Sequence, residues 1–308
     1  MTHDPENGPC SQSEIRDPEP YTIGRPGRMY IEAGGGLPIT GARDTVCDAY
    51  DFDGWSVRAA SVRGLRHRYF GERRQDAYDI ALGQAGFIIV GVCDGVGQLP
   101  ESDVAASLVA TEGVQLLKET TDVKTVDWDK FFADLSDKLV AFFPSAPGTA
   151  EERIASVRET MATTAVFAIV DMRPRDGYWE FSAAAIGDSS AWTLEQSVEV
   201  FGTWRDTLNS AKSSDPEVAE NKTKAIPGHS PKPKTRTDSL STNGALCVMT
   251  DGISDPLMDG TGEVGRKLAE AWTSPPSALN FAAQVGFGRQ SHVDDRTCVM
   301  VWPPSDKG

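Results

Sequence analysis

Apolar positions along the chain fall into short runs of two kinds. Period-2 or unbroken apolar runs predict strands at about 55–62, 78–82, 87–93, 163–170, 246–250 and 296–302. The runs 78–82 and 87–93 read as a hairpin joined through 83–86. Residues 179–194 read as one strand with a brief kink at Gly187-Asp188. Elsewhere the spacing lengthens to the helical period. Val104, Ala105, Leu108, Val109 and Leu116 mark one face of a helix starting at Asp103, with Ser102 as its cap. Further helices are expected at about 128–143, opened by Asp127, at 150–160, with Glu151 and Glu152 in the first turn, and at 263–272 and 277–285. Strands and helices follow one another in blocks without regular βαβ alternation. That order predicts an α+β fold of antiparallel sheets with helices packed outside them.

Residues 1–50 carry scattered prolines and the run Gly34-Gly35-Gly36, and read as an irregular, flexible arm with one short strand near Met29 to Ile31. Residues 51–304 form the expected globular domain. Within it, 202–243 is a polar, Pro-studded insertion, long enough to serve as a functional loop.

Composition narrows the partners. Of 308 residues 39% are hydrophobic, enough for a packed core, and the formal net charge of −15 argues against a nucleic-acid backbone as partner. The longest unbroken apolar run, 165–170, is too short for a bilayer, and the first twenty residues lack a signal-peptide pattern. Five cysteines form no C-x-x-C, and three lie in expected strands, which predicts reduced thiols in a soluble cytoplasmic protein.

The chemistry sits at strand ends. The run 87–93 delivers Asp94 into Gly95-Val96-Gly97, the run 246–250 ends in Asp251-Gly252, Asp294-Asp295 precede the last strand, and Gln75-Asp76 precede the hairpin. One Asp-Gly is a common turn, but neither of these leads into a returning hairpin partner. Four converging carboxylates would repel one another unless a cation joined them. An all-oxygen set suits Mg²⁺ or Mn²⁺, and the four histidines form no zinc pair. Gly260-Thr261-Gly262-Glu263-Val264-Gly265 lacks the preceding strand a dinucleotide site requires. Gly187-Asp188-Ser189 is not a nucleophile elbow and reads as a structural kink. His67, Arg73 and Arg74 lie upstream of Asp76, where a phosphate could be met, although all three also fit an ordinary surface.

In order, Gln75-Asp76-Ala77, Asp94-Gly95-Val96-Gly97, Met161-Ala162-Thr163-Thr164-Ala165, Gly187-Asp188-Ser189, Thr250-Asp251-Gly252 and Asp294-Asp295-Arg296-Thr297 resemble the motifs of the metal-dependent type 2C protein serine/threonine phosphatases over about 55–302. The resemblance implies two stacked antiparallel sheets flanked by helix pairs, an α-β-β-α sandwich, with two or three Mn²⁺ or Mg²⁺ ions at one end. It implies metal ligation by Asp76, Asp94, Asp251, Asp294 and the Gly95 carbonyl. It further implies that water activated by the ions hydrolyses phosphoserine or phosphothreonine in proteins phosphorylated by a serine/threonine kinase, with no nucleic acid or membrane involved. Residues 202–243 would then flank the catalytic mouth.

Two positions depart from the pattern. The family's phosphate-binding Arg, five residues before its first Asp, is Gly71 here, and Ala162 stands for a usual Gly. His67, helped by Arg74, is the expected replacement for phosphate binding or leaving-group protonation, as in a bacterial subgroup that carries His there. The missing Arg also supports an alternative, a non-catalytic metal- or phosphoprotein-binding module on the same scaffold. A further alternative is a phosphatase in a bacterial partner-switching circuit, which differs in substrate rather than chemistry.

Overall fold

Strand β4, Phe87–Gly95, is buried almost throughout, so both of its faces must be covered. Ile88, Val90 and Val92 point to one side and Phe87, Ile89 and Cys93 to the other, into two different apolar clusters. Each such side chain contributes about 1.5–3 kcal/mol on burial. The computed structural model describes residues 21–25, 43–84, 86–143, 148–196, 202–208, 224–228 and 232–305. It shows how the covering is done.

In chain order the strands are β1 (Thr45–Phe52), β2 (Trp55–Val62), β3 (Asp76–Leu82), β4, β5 (Thr163–Asp171), β6 (Trp179–Ile186), β7 (Ser190–Glu195), β8 (Thr203–Asp206), β9 (Lys234–Leu240), β10 (Gly244–Met249) and β11 (Arg296–Trp302). The helices are α1 (Leu65–Phe70), α2 (Ser102–Leu117), α3 (Trp128–Phe142), α4 (Ala150–Arg158), α5 (Asp251–Leu257), α6 (Glu263–Ala271) and α7 (Ala278–Val285). One sheet runs β1-β2-β11-β10-β7-β8 and the other β3-β4-β5-β6-β9, with every pairing antiparallel.

The inner faces meet through Trp55, Val57, Val90, Val166, Phe181, Val248 and Val299. On the outer face of the five-stranded sheet, Phe131, Phe132 and Leu135 of α3 and Val109 and Val114 of α2 pack on Phe167 and Ile169. On the other outer face, Ile253, Leu268, Trp272 and Phe281 cover Cys247, Met249, Cys298 and Met300. The result is the α-β-β-α sandwich. Among the described residues no helix is long and apolar enough to cross a membrane.

Several local expectations change. Residues 179–194 are not one kinked strand: β6 belongs to one sheet and β7 to the other, and the chain crosses between them at Gly187-Asp188-Ser189. Gly187 makes the crossing with φ +98°, a conformation that suits glycine, and a Cβ there would lie 2.6 Å from Thr164. Within the arm expected to be irregular, 45–52 forms β1, paired along its length with β2, and Ile23 is buried in the core beside α7. The short strand expected near 29–31 lies outside the described residues.

The insertion 202–243 is not irregular throughout. It supplies β8 and β9, which extend one sheet each, and Ile226, which exchanges backbone hydrogen bonds with Thr163. Ser102 is the first residue of α2 rather than its cap; Glu101 holds that position. Asp127 does cap α3, accepting from the Lys130 amide, and Thr149 with Glu152 forms a capping box at α4.

A carboxylate cluster at the strand ends

The registers bring distant acids together. Asp76 begins β3 directly opposite Asp94 near the end of β4, and Asp94 in turn faces Thr164 of β5. Thr164 Oγ1 lies 2.7 Å from Ser189 Oγ, which ties the β6–β7 crossing to the same end. From the other sheet, Thr250 follows β10 and its hydroxyl donates to Asp76 Oδ2 at 2.8 Å. The Thr250 hydroxyl oxygen itself accepts from the Thr297 amide of β11. Asp251 then opens α5. The ends of both sheets therefore meet at one place.

Asp94, Asp188 and Asp251 each present a carboxylate oxygen there, all within 4.8 Å of one another. Burial raises the Asp94 pKa well above the ordinary carboxylate range, and the charges of Asp76, Asp251, Asp188 and Asp294 push it further. Burial also raises Asp76, with Asp295 adding to the effect, while hydrogen bonds from Thr250 and Thr297 oppose it. Oxygen donors of like charge at this spacing fit a hard divalent cation, which would hold the acids ionised.

Asp294 and Asp295 divide the labour of the last motif. Asp294 is 59% exposed, whereas Asp295 is buried. Asp295 accepts from the Gly64 amide through Oδ1 and from the Gln75 amide through Oδ2, both at 2.6 Å. The backbone approaches here are close. A Cβ on Gly64 would stand 2.3 Å from the Asp294 carbonyl carbon, and one on Gly252 would stand 1.9 Å from the Asp295 oxygen. Only glycine lets the α1 and α5 entrances press against this turn.

His67 lies on α1, buried, with Nδ1 2.9 Å from Asp295 Oδ1. Nε2 is 3.7 Å from Glu72 and 4.0 Å from Asp294, and neither ring nitrogen makes a hydrogen bond of good geometry, the Nδ1 approach to Asp295 being an ion-pair contact. Burial lowers the His67 pKa, but Asp295, Asp294 and Glu72 together outweigh it and raise the pKa overall.

Of the residues singled out in the sequence, Asp94 and Asp251 share one cluster with Asp188, while Asp294 stands with His67 and Asp295. Asp76 is buried, opposite Asp94 and electrostatically coupled to both groups. Gly95 ends β4, its amide donating to the Gln75 carbonyl. Arg74 Nε and Nη1 donate to the carbonyls of Asp76, Arg43 and Ser61. Arg73 pairs with Asp103 and donates to the Pro100 carbonyl.

Sequence reasoning assigned Asp188 to a kink and gave no role to Asp295 or Arg296. Arg296 is buried and donates to the carbonyls of Gly252, Phe287 and His292, so its fork holds the α5 entrance beside the last motif. Burial lowers its pKa to about 10 against the pull of Asp294 and Asp295.

The family model for protein phosphatase 2C matches residues 63–279. The chain belongs to the protein phosphatase 2C family. Solved structures agree on the fold. A bacterial serine phosphatase is 19% identical, with 82% of this chain and 99% of that one covered and a TM-score of 0.56. The serine/threonine phosphatase of S. agalactiae is 14% identical over 81% and 99%, with a TM-score of 0.53. The catalytic domain of the serine/threonine protein phosphatase PstP, in complex with two manganese ions, is 19% identical over 80% and 97%, also at 0.53. Comparison with curated protein sequences gives no match. Within this protein phosphatase 2C member, the family match spans Asp76, Asp94, Asp188 and Asp251, and stops short of Asp294-Asp295.

Proposed function

We propose that this protein hydrolyses phosphoserine and phosphothreonine in phosphorylated proteins, using Mn²⁺ or Mg²⁺. The observation that carries the reading is the convergence of Asp94, Asp188 and Asp251 from both sheets on one point. Asp94, Asp251 and Asp188 would hold the cations, with Asp76, Asp294 and the Gly95 carbonyl completing the set. Bound divalent cations supply an acidified water and neutralise charge on the phosphoryl group.

The chain's own residues do the rest. Asp76, anchored by Thr250, fixes the line of carboxylates and orients water beside them. His67, with Nδ1 against Asp295 and Nε2 toward Asp294, would offer Nε2 to the phosphate or, when the ring is protonated, a proton to the departing alkoxide. Buried cysteine thiols take no part, since burial raises Cys93 and Cys247 well above the usual thiol range, and no phosphoenzyme is needed. A reducing cytoplasmic setting suits the free thiols Cys47, Cys93, Cys247 and Cys298.

The test is turnover of a phosphothreonine peptide by chelator-stripped protein given Mn²⁺, beside the Asp251→Asn variant. Metal-dependent release of phosphate by the native chain, lost in the variant with its fold retained, is the expected result. Mn²⁺ uptake without turnover of any phosphopeptide would replace the enzyme reading with that of a binding module.

A further inference from the structure

We propose that Asp295 is a positioning residue that couples His67 to the metal-ligand turn. Through it, turnover of substrates with poor leaving groups depends on a carboxylate that touches neither metal nor phosphate. The inference rests on the phosphatase reading above.

One buried side chain makes three separate attachments. Oδ1 takes the amide of Gly64, the residue that precedes α1, and Oδ2 takes the amide of Gln75, the residue before Asp76. Oδ1 also lies 2.9 Å from His67 Nδ1. Both oxygens are thus committed to the protein, which leaves them poor candidates for cation ligation. The imidazole can turn only as far as this carboxylate allows. With Nδ1 2.9 Å from Asp295, the ring nitrogen left over is Nε2, on the side of Asp294, and it has a proton to give when the ring is protonated on both nitrogens.

Of the two side chains near Nε2, Glu72 is 44% exposed and can swing aside for an incoming phosphate, while Asp294 stays on the metal side. Asp294 directly precedes Asp295, and its Oδ1 accepts the Asp295 amide. One peptide unit therefore sets the distance between the metal side of the site and the imidazole. A Coulombic role alone would need none of these three contacts. The geometry instead fixes which ring nitrogen faces the substrate.

The experiment compares kcat for a phosphoserine peptide, whose alkoxide needs a proton to leave, with kcat for p-nitrophenyl phosphate, whose phenolate does not. In the full-length Mn²⁺-loaded protein, Asp295→Asn is expected to lower the peptide-to-nitrophenyl kcat ratio by at least about tenfold. His67→Gln is expected to lower it similarly, and the double variant to be no worse than the single ones. Equal losses on both substrates, or additive losses in the double variant, would overturn the proposal. So would a loss of Mn²⁺ affinity that tracks the loss of rate, which would make Asp295 a ligand.

If Asp295→Asn does not fold, ¹⁵N-edited NMR of the native chain decides. A hydrogen-bonded Nδ1–H on His67 is expected, and a ring protonated only at Nε2 would reject the idea. Absence of Mn²⁺-dependent turnover in the native chain on either substrate would instead fail the phosphatase reading itself.

Discussion

Two acidic groups lie side by side at the end of this sandwich, and they solve the same electrostatic problem in opposite ways. Asp295 is buried, yet two backbone amides and an imidazole surround its carboxylate, so its charge is answered from within the chain. Asp94 is also buried, but its neighbours are Asp76, Asp188 and Asp251, and each makes its ionisation harder. The first group is a finished structural joint. The second is a costly arrangement that a proton or, on the proposed reading, a bound cation would relieve. Acidic residues close in space thus differ in kind according to what donates to them, not according to their number.

That contrast sets expected outcomes of opposite sign. The largest concerns rate. Asp94→Asn should lower Mn²⁺-dependent turnover by about 10³-fold or more, ~4 kcal/mol of barrier, measured with saturating metal. A variant within tenfold of the native rate would remove Asp94 from the centre. Next, Asp295→Ala should cost about 3–5 kcal/mol of stability, because it strands two amides and a buried imidazole. Thermal melts with and without chelator should both register the loss, and a shift confined to the metal-loaded form would contradict its structural assignment.

The third outcome is a gain. In chelator, Asp94→Asn should be more stable than the native chain, because burial and the charges of Asp76, Asp251 and Asp188 oppose ionisation of the native carboxyl. An Asp94→Asn protein less stable than native without metal would mean that the acids are not in mutual conflict. The smallest effect is the pH slope. The Asp94 and Asp76 pKa values are raised in the folded state, so the native chain holds their protons at pH values where the unfolded chain has released them. Their contribution to stability is fully present below the unfolded value of about 3.9 and declines as pH rises through the folded values. Saturating Mn²⁺ should flatten that decline, and an unchanged slope would argue against metal ligation.

Much of this arrangement was visible in the sequence, for reasons that can be named. Strands buried on both faces, such as β4 and β5, leave unbroken apolar runs, and amphipathic helices such as α3 and α6 leave a 3.6-residue period. Asp76, Asp94 and Asp251 stood out because each abuts such a run. The misses share a cause as well. β1 and β9 are edge strands with exposed, charged residues, and α1 and α5 are six and seven residues long, too short for a period to register.

Asp188 was hidden because its neighbours on both sides are strand-like. Nothing local distinguishes a kink within one sheet from a passage between two. Asp295 was hidden by Asp294, since adjacent acids look alike until one is seen to receive amides and the other to face solvent.

The three-residue passage from β6 to β7 has one more implication. It is a short tether between layers that otherwise adhere mainly through apolar side chains, and it carries one of the cluster's acids. Sliding of one layer over the other would therefore pull Asp188 out of line with Asp94, which rides on the first layer, and Asp251, which rides on the second. On the proposed phosphatase reading, turnover is in that sense a gauge of interlayer alignment. Substitutions deep between the sheets, at Val90 or Val248 for instance, should be felt at the mouth of the molecule before the fold itself gives way.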